Sequence, residues 1–140
     1  MISPALFQKP LRRLAFSLAA FLLATSALAQ WNLFGRTENL RIYLDQGSIR
    51  RQGDLAQMWQ LYDYTSAQWV GTQQVVLSFK NLVEYDCSSL RARIVAGAAY
   101  TEQMGAGRLV TSETKPDAEW SALPPGGTGE STWKIACGKD

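Results

Sequence analysis

Through the middle of the chain apolar and polar residues alternate with a period of two, the spacing of strands that bury one face. Leu40 to Leu44 (LRIYL) follows this pattern and reads as a strand. Asp45-Gln46-Gly47-Ser48 and then Gln52-Gly53-Asp54 carry turn chemistry. Met58 to Tyr64 (MWQLYDY) is rich in aromatic residues and predicts a second strand. Beyond a loop that contains Gly71, strand segments are expected at Gln74 to Lys80, Leu82 to Cys87 and Leu90 to Tyr100, the last weakened by small residues around Gly97. Gly105-Ala106-Gly107 reads as a turn and Arg108 to Ser112 as a short strand, before Pro116-Asp117 breaks the pattern. Trp120 lies in a short segment ahead of Pro124-Pro125-Gly126-Gly127.

The segment around Cys87 fixes its own register. With Ser88-Ser89 as a two-residue turn, Cys87 lies opposite Leu90, Asp86 opposite Arg91, Tyr85 opposite Ala92, Glu84 opposite Arg93 and Val83 opposite Ile94. Alternation then gathers Val83, Tyr85, Cys87, Ala92 and Ile94 on one face. The other face carries two acids, each opposite a base, an arrangement that contributes about 0.2–1 kcal/mol per pair. A slip of one residue would turn all four charges into the core. Ser-Ser is a poor turn dipeptide, so the register comes from the faces more than from the turn.

Near the C-terminus the period changes. Thr128-Gly129-Glu130-Ser131 can open a helix, with Gly127 or Thr128 as its cap and Glu130 suited to the positive N-terminal end. Trp133 and Cys137 are four residues apart and share a helix face, and Gly138 is a suitable stop.

The first residues follow a different logic. Lys9, Arg12 and Arg13 precede an apolar run from Leu14 to Ala24, and Ala27-Leu28-Ala29 closes it. A basic stretch, a short apolar stretch and an Ala-x-Ala ending are the parts of a secretory signal peptide. Residues 1–29 are therefore expected to be removed, with the cut between Ala29 and Gln30. A membrane anchor is the rival reading, but Leu14 to Ala29 falls short of the roughly 20 residues a spanning helix needs. No stable membrane span is expected after cleavage.

Removing that segment changes the charge. Its three basic residues leave 11 Lys+Arg against 12 Asp+Glu in Gln30–Asp140, a net charge of −1, so the case for a nucleic-acid partner disappears. Hydrophobic residues make up 46% of the sequence, which argues against disorder, and 140 residues allow one domain, expected over 30–140. There is no histidine. That excludes Ser-His-Asp and Cys-His nucleophile pairs and every zinc site that needs imidazole. No metal or cofactor is expected.

Cys87 and Cys137 are the only cysteines, and both lie in the exported part. In an oxidising compartment a disulfide between them is the default; two free buried thiols are the alternative. A Cys87–Cys137 bond would pin the helix onto the hairpin's core face. The expected fold is thus α+β: an antiparallel β-sheet of about five to six strands, with a C-terminal helix packed on one face and tied by a disulfide.

Three features invite sharper readings. Trp69, in the loop with Gly71, is the best exposed aromatic candidate, whereas Trp59 and Trp133 read as core. Arg50-Arg51 at a turn could grip an anionic partner or be solvated turn charges. Glu84 and Asp86 share a face, but bases opposite them lower their pKa values and make poor general acids of them. Gly105-x-Gly107 is too short for a phosphate loop.

Tyr43-Leu44-Asp45, Ser48-Ile49-Arg50-Arg51-x-Gly53, Met58-Trp59 and Asp63-Tyr64 resemble the first half of the surface-adhesin protein E family. Val83-Glu84-Tyr85-Asp86-Cys87, Arg91 and Arg93, Tyr100, Trp120, Pro125-Gly126 and Ala136-Cys137-Gly138 resemble its second half. The resemblance implies a small exported bacterial protein, with a helix tied across one face of an antiparallel sheet. It also implies binding of extracellular-matrix proteins and cells, as the founding surface lipoprotein does. No cysteine follows the signal here, so a lipoprotein anchor is not expected, and the protein is placed in the periplasm or the medium. No binding residue carries over from the family. The function expected is an exported, non-enzymatic binding module whose partner is a protein of the envelope or the extracellular matrix. The alternative is a structural, envelope-associated periplasmic protein without a discrete ligand. Oligomeric state is left open.

Overall fold

The computed structural model describes residues 29–140; the expected signal segment, apart from Ala29, lies outside the described residues. The chain runs as β1 (Asn32–Arg36), β2 (Leu40–Gln52), β3 (Leu55–Val70), β4 (Gln74–Asp86), β5 (Arg91–Tyr100), a 3₁₀ turn (Gln103–Gly105), β6 (Leu109–Thr114), β7 (Ser121–Ala122) and α1 (Thr128–Cys137). The first six strands form an antiparallel meander in sequence order, and β7 adds to the free end of β5. The α+β architecture read from the sequence is the one observed, with seven strands rather than five or six. The expected segments Gln74–Lys80 and Leu82–Cys87 form one continuous strand, β4, and the two strands not expected are β1, which follows Trp31, and the two-residue β7.

The β4–β5 hairpin has the register derived from its charge pattern: Asp86 opposite Arg91, Tyr85 opposite Ala92, Glu84 opposite Arg93 and Val83 opposite Ile94. Cys87 and Leu90 lie in the turn and not in the ladder. Val83, Tyr85, Cys87 and Ala92 are buried as expected, but Ile94 is 51% exposed. The reason is the reach of α1, which packs on β2, β3 and β4 and stops short of that part of β5.

Asp45–Ser48 does not turn the chain. β2 runs through it, and the register with β3 slips between Asp45↔Trp59 and Arg50↔Gln57. Ser48 makes this bulge tolerable: its hydroxyl donates to the Asp45 carbonyl at 2.6 Å and accepts the Trp59 N–H at 2.9 Å. A side chain thus replaces one rung of the ladder. Arg50 and Arg51 consequently lie within a strand and not at a turn. Trp69 likewise belongs to the end of β3 and not to a loop.

One face of the sheet carries the main core: Leu44, Ala56, Met58, Val83, Tyr85, Cys87 and Ala92, closed by Ala136 and Cys137 of α1. The opposite face buries Leu61, Asp63 and Ser78, and the 3₁₀ turn docks there. The Met104 N–H donates to Asp63 Oδ1 at 2.6 Å, and the Gly105 N–H to Ser78 Oγ at 2.9 Å.

The helix starts at Gly127 and ends at Gly138, whose left-handed φ of 63° lets the Lys139 N–H return to the Lys134 carbonyl at 2.9 Å. Two bonds then fix α1 to the end of the hairpin. Cys87 and Cys137 form a disulfide, and Trp133 Nε1 donates to the Asp86 carbonyl at 2.7 Å. Trp133 and Cys137 therefore point the same way, as their spacing predicts, although Trp133, like Trp59, is half-buried and not fully enclosed. Arg51 adds a third tie, donating to the Cys137 carbonyl at 2.7 Å, where the helix's negative end gathers.

Beneath α1 a polar chain crosses the core. Tyr62 donates to Gln60 Oε1 at 3.0 Å, and Gln60 Nε2 donates to the Tyr85 hydroxyl. Burial pushes the Tyr85 phenol up to about 12.

The disulfide spans 50 residues, and closing a loop of that length contributes up to roughly 4 kcal/mol on the chain-entropy account. Cys137→Ala is expected to lower the melting temperature by roughly 10 to 20 °C in calorimetry. Tyr85 gives a second test. Its folded pKa lies above the unfolded 10.0, so its contribution is complete below pH 10 and disappears as pH rises through about 12. The melting temperature should fall over that window, and Tyr85→Phe should flatten the fall.

Candidate functional site

Glu84 and Asp86 alternate with Tyr85 along β4, which places both on the face away from α1. Each meets the base its register assigns. Arg93 donates to Glu84 Oε1 through Nε at 2.9 Å and Nη2 at 2.6 Å, and Arg91 donates to Asp86 Oδ2 through Nε at 2.9 Å. Both acids are buried. Their remaining oxygens are also taken: Gln57 donates to Glu84 Oε2 at 2.7 Å, and the Ser88 N–H and hydroxyl both donate to Asp86 Oδ1. Trp120 covers the group, with the Arg93 and Arg91 guanidinium carbons 4.3 and 4.9 Å from its ring centre. A carboxylate surrounded by donors is stabilised as the anion. Ser88 and then Arg91 hold the Asp86 carboxyl down at about 2. Asp86 is thereby held as the anion near neutral pH, and the cluster fixes charge in place.

Other candidate residues lie outside this cluster. Among the described residues Trp69 is the most exposed large apolar side chain, at 68%, and it pairs across the hairpin with the exposed Val75. Arg50 is exposed, and its guanidinium donates to the carbonyls of Gly47 and Ile49. Arg51 is committed to the helix terminus. The structure does not bring Trp69 together with the two arginines: Trp69 lies at the far end of β3, while Arg50 and Arg51 pair with its beginning.

Sequence reasoning missed a concavity on the part of the sheet that α1 leaves uncovered. Beyond α1 the sheet is open, and a groove of about 420 Å³ is lined by Val70, Phe79, Asn81, Gly97, Thr111 and Ser112, among others. A second groove, of about 360 Å³, continues toward the helix past Tyr62, Val83 and Leu123, with Ile94 shared by both. The signal for the first was the run Ala96-Gly97-Ala98-Ala99. Read along the chain it weakens a strand; in three dimensions it is a low floor between taller side chains. A Cβ on Gly97 would lie 3.0 Å from Asn81 Oδ1.

The folded pKa of Asp86 lies below its unfolded 3.8, so its stabilising contribution is present above that value and is lost as pH falls toward 2. Melting temperature measured across this window should drop in the native chain. Asp86→Asn should be less stable at neutral pH and should show a shallower drop.

Three comparisons place the molecule among known proteins. A sequence profile described as Surface-adhesin protein E matches residues 31–138. A search of curated proteins finds no match. Among solved structures, protein E from non-typeable Haemophilus influenzae superposes with a TM-score of 0.58 at 16% identity, covering 81% of this chain and 79% of that one. Another structure of Haemophilus influenzae protein E gives 0.56 at 15% identity, covering 81% and 88%. At such identities the superpositions show a shared fold, and the profile match over almost all of the described residues shows the kinship. This chain belongs to the surface-adhesin protein E family.

Proposed function

We propose that the chain is an exported, non-enzymatic binding module that begins at Gln30 once residues 1–29 are removed and engages protein partners of the bacterial envelope or the extracellular matrix. The observation that carries this reading is the family match over residues 31–138, the whole of the folded sheet and helix. Three features support it. The disulfide suits an oxidising compartment. Among the described residues no helix is long and apolar enough to cross a membrane. The carboxylates that could have suggested acid–base chemistry are tied to arginines, whereas Trp69 and the open half of the sheet are available to a partner.

Cell fractionation with N-terminal sequencing should find a chain that starts at Gln30 in the periplasm or the medium. The same protein, immobilised, should capture partners saturably from envelope extract or an extracellular-matrix preparation, and Trp69→Ala should weaken the capture without lowering the melting temperature. A chain that retains residue 1 in the membrane fraction, or one that captures nothing from either source, would contradict the reading.

A further inference from the structure

From Tyr64 to Phe79, between Asp63 and Lys80, the chain carries no charged residue. This stretch forms the far end of the β3–β4 hairpin, and Trp69 stands near its tip. The same tip carries side chains that hydrogen-bond without charge: Gln68, Thr72, Gln73 and Gln74, the last three exposed. Val70, next to Trp69, lines the groove of about 420 Å³, so the tip sits at the groove's mouth. Within the groove Phe79 offers an aromatic surface, Asn81 an amide and Thr111 a hydroxyl. The groove's two ionic residues, Glu113 and Lys115, face each other at 3.2 Å and offset one another.

We infer that Trp69 and the adjoining groove form a binding site for a neutral carbohydrate chain. This deepens the binding-module reading and rests on it. The chemistry of the lining selects the ligand class. A charged glycan or an acidic peptide would find no free countercharge along the arm. A lipid tail would strip water from the amides and hydroxyls without replacing their hydrogen bonds, which is costly. A sugar chain supplies both requirements: an apolar C–H face for a large amphipathic ring, and a rim of hydroxyls that pair with amides and hydroxyls. The volume lies within the range of pockets that enclose small ligands. Gly97 keeps the floor open, because a side chain there would press on Asn81.

The test uses the exported chain, Gln30–Asp140, against an immobilised panel of neutral glycans, with maltohexaose and tetra-N-acetylchitotetraose among them. Heparin and phosphatidylcholine vesicles serve as comparators. At least one neutral glycan should bind and perturb tryptophan emission. Trp69→Ala should weaken that binding by roughly tenfold or more, and Thr111→Val should weaken it less, both with an unchanged melting temperature. No binding to any neutral glycan on the panel would overturn the inference. So would glycan binding that survives both substitutions, or Trp69-dependent binding to the vesicles instead. An extracellular-matrix preparation stripped of its glycans separates this claim from the broader one. Loss of capture supports the carbohydrate site. Capture that persists after stripping leaves the module a protein binder and overturns the carbohydrate site alone.

Discussion

Cys87 lies where β4 leaves the sheet, and Cys137 ends the helix that closes the fold. Their bond determines how a sheet with one broad apolar face is covered by only ten residues of helix. Such a helix is too short to hold its position by its own backbone bonds. Here it is fastened at its C-terminal end by sulfur, by the Trp133 indole on the Asp86 carbonyl and by Arg51 on the Cys137 carbonyl. All three ties converge on one end of the sheet. The main core is consequently concentrated there, and the other half of the same face is left uncovered.

That asymmetry links architecture to recognition. The covered half buries Leu44, Met58, Val83 and Tyr85 and encloses the Tyr62–Gln60–Tyr85 chain, so it specifies the fold. The uncovered half presents Ile94, the small residues of β5 and the neutral arm that ends at Trp69. On the reverse face the ion pairs that the buried Glu84 and Asp86 make beneath Trp120 lock the hairpin register. Their value lies in making alternative registers costly more than in net stabilisation, since burying charge offsets much of the attraction.

The hairpin was legible from the sequence because charge and apolarity alternate there in phase, and only one register satisfies both. The helix was legible because glycine bounds it and Trp133 and Cys137 recur at its period. The disulfide was expected because the chain's only two cysteines both lie in the part read as exported, where thiols oxidise. The bulge at Asp45–Ser48 was not legible, because the same residues that favour a turn can also bridge a widened ladder, and Ser48 does so through contacts with β3 that are remote in sequence. β1 and β7 were not legible either: β1 is an edge strand with three of its five residues exposed, and β7 is too short to show a period. The groove was obscured because small residues carry no signal of their own; what they leave empty depends on Phe79 and Thr111 on the flanking strands.

Strand β1 covers β2 only from Arg41 to Leu44, and past the bulge β2 continues with β3 on one side and, among the described residues, no strand on the other. Main-chain groups from Arg50 to Gln52 thus form a short open seam, the kind of surface on which a stray chain can zip up and start a fibre. Two adjacent arginines occupy that seam. Their like charges and bulk discourage a second strand from docking, while Arg51 also anchors the helix end. A protein that leaves the cell's folding machinery behind would depend on that safeguard.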